Sequence, residues 1–183
     1  DSARMQFANQ NGFEPLEVRS LHYARSIEKP LESHPFPPGY TWRAVRGEEE
    51  VEALVALHRA AFGTDNMTVE ERLAIMRAPQ YQPAMDLVAV APDGSLAAFC
   101  ICGLEGTEER VGYTDPIGVH PDHKGHGLAS ALVTTGMEAL IRAGAVRIEV
   151  GTSSENAAMQ RLAQQLGFDL VSEKVWFSKE VGA

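Results

Sequence analysis

Residues 120–129, HPDHKGHGLA, constrain this chain more than any other stretch. An apolar strand-like run at 116–119 leads into them. A long apolar-periodic helix at 128–144 follows, and 145–150 then reads as a strand buried on both faces. Strand, crossover helix and strand in this order require a sheet with at least one parallel pair. The junction itself is unusually bare, with Gly125 and Gly127 two residues apart. The first turn of a helix leaves N–H groups without carbonyl partners, and the helix dipole puts positive potential there. A backbone so exposed at that place is an anion site.

The rest of the chain fits a mixed α/β sheet with helices on both faces. Residues 1–13 read as a short helix ending at Gly12, and 17–27 as a strand. From 41 the order is strand (41–46), helices (48–62 and 68–78), strands (86–91, 95–106 and 109–119), helix (128–144), strand (145–150), helix (155–167) and strand (169–179). Thr68 and Glu71 have the spacing of a capping box, and Pro92-Asp93-Gly94 that of a hairpin turn. Between the two parts, 29–40 holds four prolines and reads as a linker or extended crossover.

Several chemistries drop out. The glycines match neither GxGxxG nor GxxxxGK[ST], which argues against a dinucleotide or P-loop site. His120, His123 and His126, with Asp122, do not form a closed ligand set, and no metal is expected. Cys100 and Cys102 fall on one strand face, one residue apart, where no disulfide between them is expected. The net charge of −9 disfavours nucleic acid and anionic membranes, and slightly favours a cationic small substrate. No apolar run approaches a membrane span, and a cytoplasmic location is the default expectation.

Two stretches repeat. Residues 1–13, DSARMQFANQNGF, and 156–168, NAAMQRLAQQLGF, are equally long, end in Gly-Phe and share an alanine at the eighth position. The strands that follow are also alike. The expected organisation is therefore a tail of a preceding repeat at 1–28, a Pro-rich linker at 29–40, and a complete domain at 41–183.

Over about 41–180 the chain resembles the GCN5-related N-acetyltransferases (GNAT). The resemblance rests on Lys124-Gly125-His126-Gly127-Leu128-Ala129, and on Asn156 followed by a helix ending in Gly167-Phe168. The tandem pattern resembles two-domain members such as mycothiol synthase. The resemblance implies acetyl-coenzyme A as cosubstrate and the primary amine of a small molecule as acceptor. It implies that backbone groups of Gly125, His126, Gly127, Leu128 and Ala129 hold the pyrophosphate, with Lys124 adding charge. It also implies that Ile117 and Val119 bond the pantetheine arm from the main chain where the sheet splays, and that Asn156 bonds the cofactor nearby. Contact with a first domain of the same kind, or with a second copy, is the expected macromolecular partner.

Direct attack by an amine needs a base, because an ammonium has no lone pair. Asp115, ahead of Pro116, is the first candidate. Glu149 is the second, since a carboxylate in an apolar strand is costly unless paired or functional; a pairing with Arg147 is expected to be poorly oriented. Tyr113 and Glu105 rank below them. Many GNAT members carry a Tyr seven residues after the Asn as general acid, and here that position is Ala163. The alternative is therefore a non-catalytic acetyl-coenzyme A-binding module. The residues expected to set specificity lie at 61–67 and 77–83.

Overall fold

The computed structural model describes residues 2–106 and 109–179. Asp1 and 180–183, which the expected domain limits include, and residues 107–108 lie outside the described residues. The strands are β1 (Glu14–Ser26), β2 (Thr41–Ala44), β3 (Asp86–Val90), β4 (Leu96–Glu105), β5 (Val111–Val119), β6 (Arg147–Ser153) and β7 (Asp169–Ser178). They form one sheet in the order β2-β3-β4-β5-β6-β1-β7. Among the described residues β5–β6 is the parallel pair, and the other neighbours are antiparallel. The helices are α1 (Ser2–Gln10), α2 (Val51–Phe62), α3 (Val69–Met76), α4 (Leu128–Arg142) and α5 (Ala157–Gln165).

The crossover helix α4 packs on one face of the sheet. Leu128, Leu132, Met137 and Leu140 are fully buried against Leu87, Cys100, Cys102 and Ile148. Burying each such side chain contributes about 1.5–3 kcal/mol. Two positions that lack a side chain let the helix approach: a Cβ at Gly112 would lie 2.9 Å from Leu140 Cδ1, and one at Gly136 2.4 Å from Cys102 Sγ. On the opposite face α2 buries Leu54 and Leu57 against Val88 and Phe99. The predicted capping box is present: Thr68 Oγ1 accepts from Glu71 N–H, and Glu71 accepts from Thr68 N–H.

The Pro-rich stretch ahead of β2 is an extended strap. Leu31, Phe36 and Tyr40 pack on the α4-side core, His34 lies 3.3 Å from Thr134 Oγ1, and Tyr40 hydroxyl lies 3.0 Å from His123 Nδ1. The segment before the strap belongs to the same sheet. β1 pairs with β6 from Ser20 to Ser26 and with β7 from Glu14 to Ala24, so the sheet extends across residue 41 into the stretch expected to close a preceding repeat.

Candidate active site at the splayed strands

β5 and β6 pair only at Val111–Arg147, Gly112–Ile148 and Tyr113–Glu149. Beyond Tyr113 the strands part. β5 also carries an extra residue against β4, where Cys102 faces Thr114 and Cys100 faces Ile117. That bulge holds Asp115 and Pro116, joined by a cis peptide bond. Bulges re-aim side chains, and this one turns Asp115 into the gap. A Cβ on Gly151, across the opening, would stand 3.6 Å from Asp115 Oδ2.

Three cavities meet around the gap. A groove of about 510 Å³ runs past Ile117, Val119, Lys124, Gly125, Ala129 and Asn156. A smaller space of about 200 Å³ continues it between Asp115, Ile117, Gly151 and Asn156. On the other side a cavity of about 580 Å³ is lined by Gln80, Tyr81, Gln82, Glu105, Tyr113 and Asp115. Asp115 belongs to both sides.

The glycine loop has the form that anion binding needs. Gly125 and Gly127 have φ of +83° and +76°, which favours glycine, and neither has another group within 4 Å of the place a Cβ would take. Gly127 is the N-cap of α4 and supplies no side-chain cap. The loop side chains have other contacts. His126 Nδ1 lies 3.2 Å from the carbonyl oxygens of His123 and Lys124, and its ring lies beside Tyr40. Leu128 is buried in the core. Asn156 caps α5, its Oδ1 accepting from Met159 N–H at 3.0 Å. Ala163 is packed in the core, where it offers no acid to the gap.

The two candidate carboxylates differ in surroundings. Asp115 is solvent-exposed at the opening, and the cavity walls around it strip part of its hydration, which raises its pKa. Glu149 is largely buried and held by two partners, His22 Nε2 at 2.9 Å and Arg147 Nη2 at 2.6 Å. The expected poor orientation of Arg147 is corrected here: residues 147 and 149 are two apart in a strand and share a face. Desolvation first, and then the nearby charges of Glu105 and Glu149, raise the pKa of Tyr113. Behind the cavity lined by Gln80, Glu105 and Tyr113, Tyr81 donates to Asp86 at 2.6 Å, and Arg72 also bonds that buried carboxylate. The Tyr81 pKa is pushed upward by burial and by Asp86, which makes it a fixed donor.

His22 escaped the sequence reading, whereas Tyr81 falls within 77–83, expected to set specificity, and only its bond to Asp86 was not foreseen. His22 lies in the stretch taken as a repeat tail. Cys100 and Cys102 are free and buried, as their spacing implied. Among the described residues no helix is long and apolar enough to cross a membrane.

Comparison with known proteins agrees with this geometry. The model of the Acetyltransferase (GNAT) family matches residues 51–168. The mycothiol acetyltransferase of Kineococcus radiotolerans is 36% identical over 131 residues, covering 69% of this chain and 41% of that protein. That of an Arthrobacter species is 26% identical, covering 98% and 58%. The chain thus spans about half the length of these curated relatives. A GCN5-related N-acetyltransferase from Sphaerobacter thermophilus superposes with a TM-score of 0.82 at 22% identity, covering 97% of this chain and 56% of that one. A tandem GNAT protein from the clavulanic acid biosynthesis pathway gives 0.77 at 19%, covering 97% and 58%. A strand pair that opens at Asp115 beside an uncapped glycine turn, with a family match across the whole of that region, places this chain in the GNAT acetyltransferase family.

Proposed function

We propose that this chain moves an acetyl group from acetyl-coenzyme A to the primary amine of a small molecule. The observation that carries the reading is the position of Asp115, at the meeting point of the glycine-loop groove and the acceptor-side cavity. When bound, acetyl-coenzyme A supplies an activated acetyl thioester. N–H groups of Gly125, His126, Gly127, Leu128 and Ala129 hold its pyrophosphate, and Lys124 adds a positive charge. Ile117 and Val119 bond the pantetheine arm from the β5 edge that β6 leaves unpaired. Asn156 has its oxygen in the α5 cap, so it contacts the arm through Nδ2.

Asp115 takes the proton from the acceptor ammonium. Its raised pKa brings it closer to neutrality, which favours a general base. Glu149, paired with Arg147 and bonded by His22, is the second carboxylate and sets the field beside Tyr113. Glu105 and Asp115 in the acceptor cavity suit a cationic amine. The names of the curated relatives fit a small-molecule acceptor. With Ala163 in the core, the departing thiolate takes its proton from water.

Ala163 also favours a second reading, a domain that binds acetyl-coenzyme A without turning it over. Native mass spectrometry with acetyl-coenzyme A, followed by thiol-release assays across an amine library, tests both. A one-to-one complex with amine-dependent thiol release supports the enzyme. A complex without release from any amine supports the binding module, and no complex at submillimolar cofactor defeats both.

A further inference from the structure

The turn given to the pyrophosphate has little backbone support of its own. His120 N–H donates to Ala97 O at 2.8 Å and fixes the end of β5, and Ala131 N–H donates to Gly127 O at 3.1 Å and fixes the start of α4. Between these two points, among the described residues, the N–H groups of Gly125, His126 and Gly127 make no backbone–backbone hydrogen bond. Two of the three residues are glycines at positive φ with no group near the place of a Cβ. Such a turn has many conformations open to it, and an anion that fixed it would lose that entropy from its affinity. Other groups have to hold it.

Side chains do so. The Nδ1 of His126 bridges two carbonyls of the turn, those of His123 and Lys124. The His126 ring stands 5.8 Å from the Tyr40 ring, and the His123 ring stands edge-on to Tyr40 at 5.8 Å, with its Nδ1 bonded to the Tyr40 hydroxyl. One tyrosine of the strap therefore meets both ends of the 123–126 turn. Tyr40 is itself fixed. Its side chain packs on the core, and its N–H donates to Pro37 O at 3.1 Å. The preceding Gly39, at φ +86°, runs so close to the β3–β4 turn that a Cβ there would lie 2.9 Å from Pro92 Cγ. Lys124 and Gly125 line the cofactor groove, whereas Tyr40, His123 and His126 do not, so Tyr40 bears on the turn from outside the groove.

We propose, on the reading of that turn given above, that Tyr40 is a positioning residue for the cofactor: through His123 and His126 it presets the glycine turn in the shape that holds the pyrophosphate. The strap lies ahead of residues 51–168, which the family model matches, and it is nevertheless part of the binding apparatus. The three histidines of the loop then have a task that needs no metal. They carry the rigidity of the strap to a backbone that must keep its own N–H groups free.

Tyr40→Phe tests this, because it removes the hydroxyl and keeps the ring. His34→Ala is the comparison, since it loosens the same strap at Thr134 on α4 instead of at the turn. Titration calorimetry with coenzyme A, thermal melts and 15N relaxation are measured on both, beside Gly125→Ala and the unsubstituted chain. In Tyr40→Phe the dissociation constant should rise about three- to tenfold, the range that one lost hydrogen bond produces, and the Gly125 and Gly127 amides should become more mobile. In His34→Ala the constant should stay within about twofold whatever the melting temperature does. Unchanged affinity in Tyr40→Phe, with affinity lost in Gly125→Ala, overturns the role of Tyr40 alone. An equal loss of affinity in His34→Ala overturns it too, by reducing it to the stability of the strap. An unsubstituted chain that does not bind coenzyme A, or Gly125→Ala with full affinity, overturns the reading of the turn and this role with it.

Discussion

Tyr113 and Glu149 are the last parallel pair between β5 and β6, and Asp115, two residues further on, is the first carboxylate in the opening beyond them. That order gives Asp115→Asn a specific expected phenotype. The rate of acetyl transfer should fall by about 10²–10⁴-fold while cofactor affinity stays within about twofold. In the unsubstituted chain the acid limb of kcat/KM should lie above the ordinary carboxylate range, because desolvation at the opening raises the Asp115 pKa. The same shift has a sign for stability. The folded carboxyl binds its proton more tightly than the unfolded one, so stability falls as pH rises from the unfolded value through the folded one. Asp115→Asn should therefore be the more stable protein at neutral pH. Rate profiles and thermal melts against pH measure both.

Glu149→Gln should behave differently. His22 and Arg147 each lose a charged partner, and the loss of such bonds at a largely buried site removes about 1–3 kcal/mol. Melting temperature should drop while turnover declines less than in Asp115→Asn. His22→Ala should lower stability through the same carboxylate. Differential scanning calorimetry beside single-turnover rates separates the two roles.

Gly125→Ala and Gly127→Ala place a side chain at positive φ, which costs about 1–2 kcal/mol each. No protein group stands near either position, so the fold should survive. The new methyl would instead crowd the place proposed for the pyrophosphate. Cofactor affinity should fall by about tenfold or more, a larger effect than the conformational one. Titration calorimetry with coenzyme A checks this.

Asp86 is buried beneath the acceptor-side cavity with Arg72 and Tyr81 as partners. Asp86→Ala leaves the Arg72 guanidinium buried without its counter-charge, at a cost of about 3–5 kcal/mol. The double change Arg72→Leu with Asp86→Leu should recover much of that loss. Denaturant unfolding of the set closes the comparison.

His58 stacks on Phe99 with ring centres 5.4 Å apart and contacts Phe62 at 4.7 Å. Burial, and then the charge of Arg72, lower its pKa. A base with a depressed folded pKa favours the native state while neutral. That contribution is present above the unfolded value of about 6.5 and is lost as pH falls through the folded one. His58→Phe should flatten the stability profile in that window.

The glycine loop, the crossover helix, the capping box and the helix ends were legible because each depends on residues near one another in sequence. Partner choice within the sheet was not. Period-two alternation places Leu21 and Tyr23 on one face but says nothing about whether β6 or another strand lies alongside. The carboxylates show the same division. Asp115 drew attention through its place before Pro116, whereas the partners of Glu149 came from an adjacent strand and from a same-face neighbour whose spacing was misjudged.

Arg25 has a consequence of its own. Its buried guanidinium donates to the carbonyls of Leu166, Ser26, Lys29 and Pro30, tying the end of β1 and the start of the strap to the end of α5. Lys29 adds bonds to Gly167 and Asp169. The strap is thus fastened ahead of its own prolines, and the attachment of β1 does not depend on covalent continuity through residues 32–37. A protease cut there should leave a two-piece protein that elutes as one particle and separates only under denaturant, with Arg25→Ala as the change that lets the pieces part.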